Sequence, residues 1–378
     1  MATGKKSVKK TTAVRGTIDY PYLIIVLLLL GIGLIMVFSS SYASAYYKNL
    51  PSTYYFLRQG MFAVAGVIIM FAISFFDYRR FRALSPILMI ISILLLVLVL
   101  FIGVGLYGEK RWIDLGITTF QPSELAKVAV VFFFSSLISV YQDKMKTFRY
   151  GVLPFVLILG LIAFLMYLEP HLSGAILIVG VGAVLMFVGG THWAWFAGSI
   201  GVGVTGAVFA INFIDYARQR VQVWFNPFAD PRGKGYQIIQ SLYAIGSGGL
   251  FGLGFGNSRQ KYLYLPEAHN DFIFAIVCEE LGFIGALIVI LLFALLIIRG
   301  YWIAMHARDK FGALLVTGIT TLVALQVFLN IGVVTGFLPV TGAALPFFSY
   351  GGTALLILLA EMGVVLSVSR QMPVPKAG

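Results

Sequence analysis

Uncharged or nearly uncharged runs of about 18–25 residues recur along this chain, each long enough for one α-helix to cross the ~30 Å hydrocarbon core of a bilayer. They lie near 20–42, 58–76, 86–105, 121–140, 151–168, 171–189, 192–213, 271–298, 311–336 and 345–368. The breaks between them hold turn formers and charge: Asn49-Leu50-Pro51, Asp77-Tyr78-Arg79-Arg80, Gly189-Gly190-Thr191 and Leu338-Pro339. No soluble core could hide this surface. Of the 378 residues, 60% are hydrophobic and 11% charged, with a mean hydropathy of +0.94, whereas globular chains carry roughly 25% charged residues. The pattern predicts an all-α polytopic membrane protein of ten transmembrane helices. One large extracytoplasmic loop, 214–270, separates helices seven and eight.

Lys and Arg set the expected orientation, because cytoplasmic loops retain them. With the N-terminus inside, Lys5, Lys6, Lys9, Lys10, Arg15, Arg79, Arg80, Arg82, Lys144, Lys146, Arg149, Arg299, Arg308, Lys310, Arg370 and Lys376 all fall on the cytoplasmic side. Both termini are then cytoplasmic. The division is a basic tail over 1–16, a membrane domain over 17–370 and a short tail over 371–378. The net charge of +12 is accounted for by this distribution, so it points to membrane lipids and not to nucleic acid. Cys278 is the only cysteine, which excludes an internal disulfide and a multi-cysteine metal site. His171, His192 and His306 stand apart and spell no metal-ligand set.

The 214–270 loop is too long for a plain connection and too aromatic for disorder, with Trp224, Phe225, Phe228, Tyr236, Tyr243, Phe251, Tyr262 and Tyr264. The stretch 236–250 reads as an interfacial or re-entrant helix ending at glycines. Gly246, Gly248, Gly249, Gly252, Gly254 and Gly256 permit either close packing or an anion-binding nest of amides. Arg218, Arg220, Arg232, Lys234, Arg259 and Lys261 form an outside positive cluster against the usual bias. They suit an anionic headgroup such as a diphosphate, or ordinary acidic lipid.

Charged residues at membrane depth are functional candidates. Glu124 and Lys127 share a helix face three residues apart, either as a mutually neutralising pair or as the lining of a polar cavity beside Arg111 and Trp112. Glu279, Glu280 and Glu361 interrupt apolar helices, and Glu169-Pro170 ends the fifth span. Asp271 opens the eighth, just after Glu267, His269 and Asn270. A carboxylate there is either a helix cap or a general base whose pKa burial has raised. His269 is either a proton shuttle or a turn cap.

Several long segments carry a resemblance: RWIDLG at 111–116 with QPSELAK at 121–127, NPFADPRGKGYQIIQS at 226–241 and GSGGLFGLGFGNSRQK at 246–261. LPEAHNDFIFAIVCEELGFIG at 265–285 and LPVTGAALPFFSYGGTALL at 338–356 continue it. Together they resemble the SEDS family of cell-wall proteins (shape, elongation, division and sporulation), which includes FtsW, RodA and SpoVE. The FSYGG run, PEAH before Asn270-Asp271, and the variant EPHLSG at 169–174, where many relatives read QPDxG, favour the division and sporulation branch.

The resemblance implies a peptidoglycan glycosyltransferase that polymerises lipid II into glycan strands on the outer face of the membrane, for septal or cortex wall. It also implies a class B penicillin-binding protein, a transpeptidase, as partner. The catalytic residue of the family's DFIF motif falls on Asp271, and its cavity residues fall on Arg111, Trp112, Glu124 and Lys127. The mechanism expected is attack by an acceptor hydroxyl with Asp271 as base and Arg111 on the leaving diphosphate. Arg218, Arg220 and Lys234 are further candidates for the diphosphate, and Glu267 and His269 for substrate placement. No cofactor is spelled, though a divalent cation beside the diphosphate is compatible with the chemistry. A lipid II flippase and a nonenzymatic scaffold for the transpeptidase are the competing readings.

Overall fold

The computed structural model describes residues 16–105, 110–116, 118–198, 215–233 and 235–372, together with 201, 205 and 212. Among them, nine helices are long and apolar enough to cross a membrane, so the chain is a multi-pass helical membrane protein. The first six expected spans are α1 (Tyr20–Tyr47), α2 (Tyr54–Phe75), α3 (Arg80–Ile102), α4 (Pro122–Val140), α5 (Leu153–Leu168) and α6 (Leu172–Gly189). The expected span 192–213 is helical over 193–198, and most of the remainder lies outside the described residues. Then follow α7 (Asp215–Phe225), α8 (Tyr236–Gly248), α9 (Ile273–Met305), α10 (Lys310–Val334) and α11 (Gly352–Ser369). The 236–250 helix expected from the sequence is α8. A short hairpin, β1 (Ile113–Asp114) with β2 (Thr119–Phe120), lies in the loop before α4. The basic tail expected over 1–16 falls, but for Gly16, outside the described residues.

Local chemistry sets these elements. Asp19 caps α1 by accepting from the Tyr22 amide at 3.0 Å, with Pro21 in the first turn, where no amide is needed. The same carboxylate takes the Arg299 guanidinium at 2.8 Å, tying the start of α1 to α9. The Asp19 amide donates to Ser369 Oγ at 3.3 Å, so the first and last described helices end on the same side of the bundle. On that side Asp309 caps α10 through the Gly312 amide at 2.8 Å and accepts from Tyr78 Oη and Arg79 Nε.

α10 lies at the centre, against α4, α6, α9 and α11, and α2 and α3 present mostly exposed apolar faces suited to lipid. α11 packs along α2 at small residues: a Cβ on Gly363 would stand 2.6 Å from the Met70 carbonyl oxygen. Such close helix approach substitutes for the missing hydrophobic drive inside lipid.

Two non-helical segments invade the bundle. α9 is broken at Gly282, where φ is +68° and a Cβ would meet the Gly252 nitrogen at 2.3 Å. The glycine loop after α8 threads this break. Its Leu253 and Gly254 amides donate to the Glu279 and Glu280 carbonyls at 2.9 and 3.1 Å. Its Gly249 and Leu250 carbonyls accept from Phe283 and Ile284 at 2.9 and 3.2 Å. Thus the orphan groups of both new helix ends are satisfied.

The second segment, 336–351, corrects the expected last span. Instead of beginning at 345, the helix begins at Gly352, and the preceding chain runs as buried irregular backbone around Ala343, Leu345, Phe347 and Phe348. Pro346 and the Leu345 amide, which donates to Ser349 Oγ at 2.7 Å, hold it out of helix. Apolar composition alone cannot distinguish such a segment from a span.

Candidate active site

Asp271 sits where the second invading segment meets the start of α9. The main-chain carbonyls of His269, Asn270 and Asp271 are each held: by the Tyr350 amide at 2.9 Å, Ser349 Oγ at 2.8 Å and Asn330 Nδ2 at 2.7 Å. Asn330, buried on α10, donates to the Ala343 carbonyl as well, also at 2.7 Å. The backbone under Asp271 is therefore clamped. Its side chain is not a cap, since the N-cap residue of α9 is Phe272 and no side-chain cap bond forms. No hydrogen bond to the Asp271 carboxylate forms among the described residues.

Gly342, at φ +71°, faces that carboxylate so closely that a Cβ would lie 3.0 Å from Oδ2. Burial, with the Glu267 charge nearby, pushes the Asp271 carboxyl up to about 6, against the pull of Arg111. A carboxylate lightly held, on a clamped backbone, and titrating just below neutrality has the properties of a general base.

Arg111 lies before the small hairpin, next to Trp112, whose backbone bridges Val104 at 2.7 and 3.1 Å. Its Nε donates to the Glu169 carbonyl at 3.4 Å and its Nη2 to the Pro170 carbonyl. Its charge acts on Asp271, Glu169 and His171 together, which places one guanidinium among three titratable side chains from two distant parts of the chain. In the sequence Glu169 and His171 read as the end of a span, an isolated histidine and part of the variant EPHLSG segment, with no site role. What they lacked as a signal was a partner within reach along the chain, because Arg111 is far away in sequence.

Glu124 and Lys127 pair at 2.7 Å and also line a cavity of about 60 Å³ with Gln326, Ser349, Tyr350 and Glu361. The pair neutralises itself and lines a cavity, but Arg111 and Trp112, expected beside that cavity, are not among its lining residues. The cavity has room for a few waters, and Ser349 and Tyr350, which line it, also bind the Asn270 and His269 carbonyls. His269 is wedged between the Tyr55 and Tyr350 rings, at centroid distances of 5.0 and 6.1 Å. Burial pushes its imidazole down to about 4, so it is neutral at pH 7. The Glu267 side chain is exposed and accepts from Asn270 Nδ2.

The outside basic cluster divides. Lys261 does not face outward: its Nζ contacts Glu280 at 2.9 Å, with side-chain exposures of 2% and 0%. Ser39 on α1 donates to the same Glu280 carboxylate at 2.6 Å. Glu279 accepts the Arg259 amide at 2.9 Å and the Ser258 hydroxyl. The loop glycines accordingly serve packing, with Gly248 and Gly252 pressed onto the α9 backbone. Arg218 is exposed on α7, a helix anchored by Trp224 Nε1 donating to the Gly336 carbonyl at 3.1 Å. The Arg220 side chain and Lys234 lie outside the described residues. Among the described residues, no three His, Cys, Asp or Glu side chains converge as metal ligands.

The model of the FtsW/RodA/SpoVE cell cycle proteins matches residues 20–373. The chain belongs to that family. Among SEDS relatives, stage V sporulation protein E of Bacillus subtilis is 47% identical over 357 residues, covering 93% of this chain and 97% of the relative. The probable peptidoglycan glycosyltransferase FtsW of Geobacter metallireducens is 38% identical over 356 residues, 94% and 95% of the two chains. These agree with the division and sporulation branch. A chain from a peptidoglycan synthase complex that coordinates polymerization and crosslinking superposes with a TM-score of 0.79 at 29% identity, covering 94% of this chain and 98% of its own. The rod shape determining protein RodA of Thermus thermophilus does so with a TM-score of 0.70 at 27% identity, covering 95% and 98%. The SEDS fold thus extends over nearly the whole chain.

Proposed function

We propose that this SEDS protein is a peptidoglycan glycosyltransferase that polymerises lipid II at the membrane surface, with Asp271 as general base. The observation that carries the reading is the Asp271 carboxylate: clamped through its backbone, given no hydrogen-bond donor, raised to about 6 and within reach of the Arg111 charge. A sugar hydroxyl is a poor nucleophile, and a carboxylate of this pKa removes its proton as the bond to the anomeric carbon forms. The electron pair of the broken bond leaves on the diphosphate, whose charge Arg111 offsets. Attack opposite the leaving group inverts an α-linked donor to a β-linkage.

The relatives named as peptidoglycan glycosyltransferases and the neighbour drawn from a synthase complex support the same chemistry. They also support a transpeptidase partner, a class B penicillin-binding protein. Arg218, Arg220 and Lys234 remain candidates for headgroup contact beside Trp112, Glu124 and Lys127. The site faces outward, with both termini in the cytoplasm: the end holding Asp19, Arg79, Arg299 and Asp309 is the one rich in Lys and Arg. The membrane domain spans 17–370 between its two tails, and the wall it builds is septal or cortical.

The test is polymerisation of labelled lipid II by purified protein with its transpeptidase partner. Wild type yields polymer and Asp271→Ala yields none while remaining folded and bound to the partner. Equal polymer from both removes Asp271 from the chemistry. Lipid II scrambling in vesicles without polymer hands the protein to the flippase reading.

A further inference from the structure

Glu169 closes α5 with no exposure to solvent, and neither carboxyl oxygen has a hydrogen-bond partner among the described residues. An ionised carboxylate left this way is costly. Its backbone, by contrast, is in use. The carbonyls of Glu169 and Pro170 are the acceptors that orient the Arg111 guanidinium. One turn therefore holds both a buried, unpartnered acid and the cation assigned to the diphosphate.

Among the described residues, the groups facing this turn are few. Arg111 comes from the loop before α4, and His171 from the N-cap position of α6. Lys127 on α4 acts on His171, and Asp271 is linked through Arg111. His171 is no counter-charge: burial, with the Arg111 and Lys127 charges, pushes its imidazole down to about 3, and its Nδ1 has no partner among the described residues.

We propose that Glu169 is a positioning residue acting through Arg111: as a neutral carboxyl it leaves the guanidinium directed at the substrate diphosphate, and as a carboxylate it competes with that diphosphate for the guanidinium. The proposal rests on the assignment of Arg111 to the leaving diphosphate. Burial pushes the Glu169 carboxyl up to about 8, with Arg111 opposing. The acid is neutral at pH 7 and ionises as the pH passes through 8. Since Asp271 must ionise and Glu169 must not, rate is confined between them, rising through about 6 and falling through about 8.

The experiment is the pH–rate profile of lipid II polymerisation for wild type, Glu169→Gln and Asp271→Ala, with binding of undecaprenyl diphosphate measured over the same range. Gln keeps the shape and cannot ionise. The expected Glu169→Gln enzyme works within about twofold of wild type at pH 7 and lacks the alkaline limb. At about pH 9 it outruns wild type on the order of tenfold, because a group of pKa 8 is about nine-tenths ionised there. Wild-type affinity for undecaprenyl diphosphate falls through pH 8, and that of the variant does not. An alkaline limb retained in Glu169→Gln, or pH-independent wild-type binding, overturns the proposal. Should Glu169→Gln fail to fold, the wild-type binding curve alone decides. No polymer from wild type sinks the polymerase reading instead, equal polymer from Asp271→Ala removes Asp271 as the base, and in either case the binding arm still tests Glu169.

Discussion

Glu279 and Glu280, about two turns down α9, are saturated with partners, whereas Asp271 at the mouth of the same helix and Glu169 at the end of α5 have none on their carboxyl oxygens among the described residues. The first pair is enclosed by Ser39, Ser258, Lys261 and the amides of residues 258–260. The second pair lies beside one arginine that serves both. Acidic residues in a membrane bundle are all expensive, so the contrast sorts them by what the cost secures. Saturated carboxylates hold a broken helix together. Unsaturated ones on clamped backbones are kept for chemistry, and each region can be broken separately.

The largest effect belongs to Asp271. Asp271→Asn should cut polymerisation on the order of 10²–10⁴-fold, the usual contribution of a general base, measured as polymer formed per unit time. Its melting temperature should not fall. A carboxyl raised above its unfolded value weighs against the folded state once pH exceeds that value, and the amide removes the charge. A destabilised Asp271→Asn protein would return the residue to a structural role and dissolve the contrast.

Glu280→Ala should do the reverse. It strands Lys261 and Ser39 in a dry interior, at a cost of about 3–5 kcal/mol typical of a broken buried pair. Thermal unfolding in detergent reads this, with Lys261→Met/Glu280→Leu recovering much of the loss because it removes both charges. A Glu280→Ala protein of unchanged stability and no activity would move this network into the site.

These two regions were unequally legible in the sequence. Position marks Asp271, Arg111 and the Glu124–Lys127 pair as candidates, but it leaves Asp271 open between cap and base, and the family resemblance is what selects the base and brings Arg111 to the site. Lys261 was misassigned to an outward cluster because its partner, Glu280, lies beyond the start of the next span and only the break at Gly282 brings the glycine loop to it. The segment 336–351 was hidden for a related reason. Its residues are as apolar as a helix, and what keeps them irregular is bonding to Asn270, His269 and Asn330 from distant chain. Local pattern encodes burial well and long-range backbone satisfaction hardly at all.

Asn330 offers an intermediate case, because it serves the site only through backbone. Asn330→Ala leaves the carbonyls of Asp271 and Ala343 without their donor, a loss of about 1–3 kcal/mol. Both stability and turnover should fall, with the acid limb of the rate profile still near 6 since no charge has changed. A turnover loss without any stability loss would mean that Asn330 meets the substrate.

The smallest effect tests the rule from the other side of the bundle. Arg79 and Asp309 pair at 2.8 Å, with side-chain exposures of 41% and 33%. Asp309 has two further donors, the Gly312 amide and Tyr78 Oη, each at 2.8 Å. Saturation here resembles that of Glu280, but water reaches both charges and screens them. Arg79→Met should therefore change stability by only about 0–1 kcal/mol and leave polymerisation untouched. Raising the salt concentration should erase even that difference. If Arg79→Met instead unfolds the protein as Glu280→Ala does, then burial is not what separates the two pairs, and the number of partners around a carboxylate matters more than its distance from water.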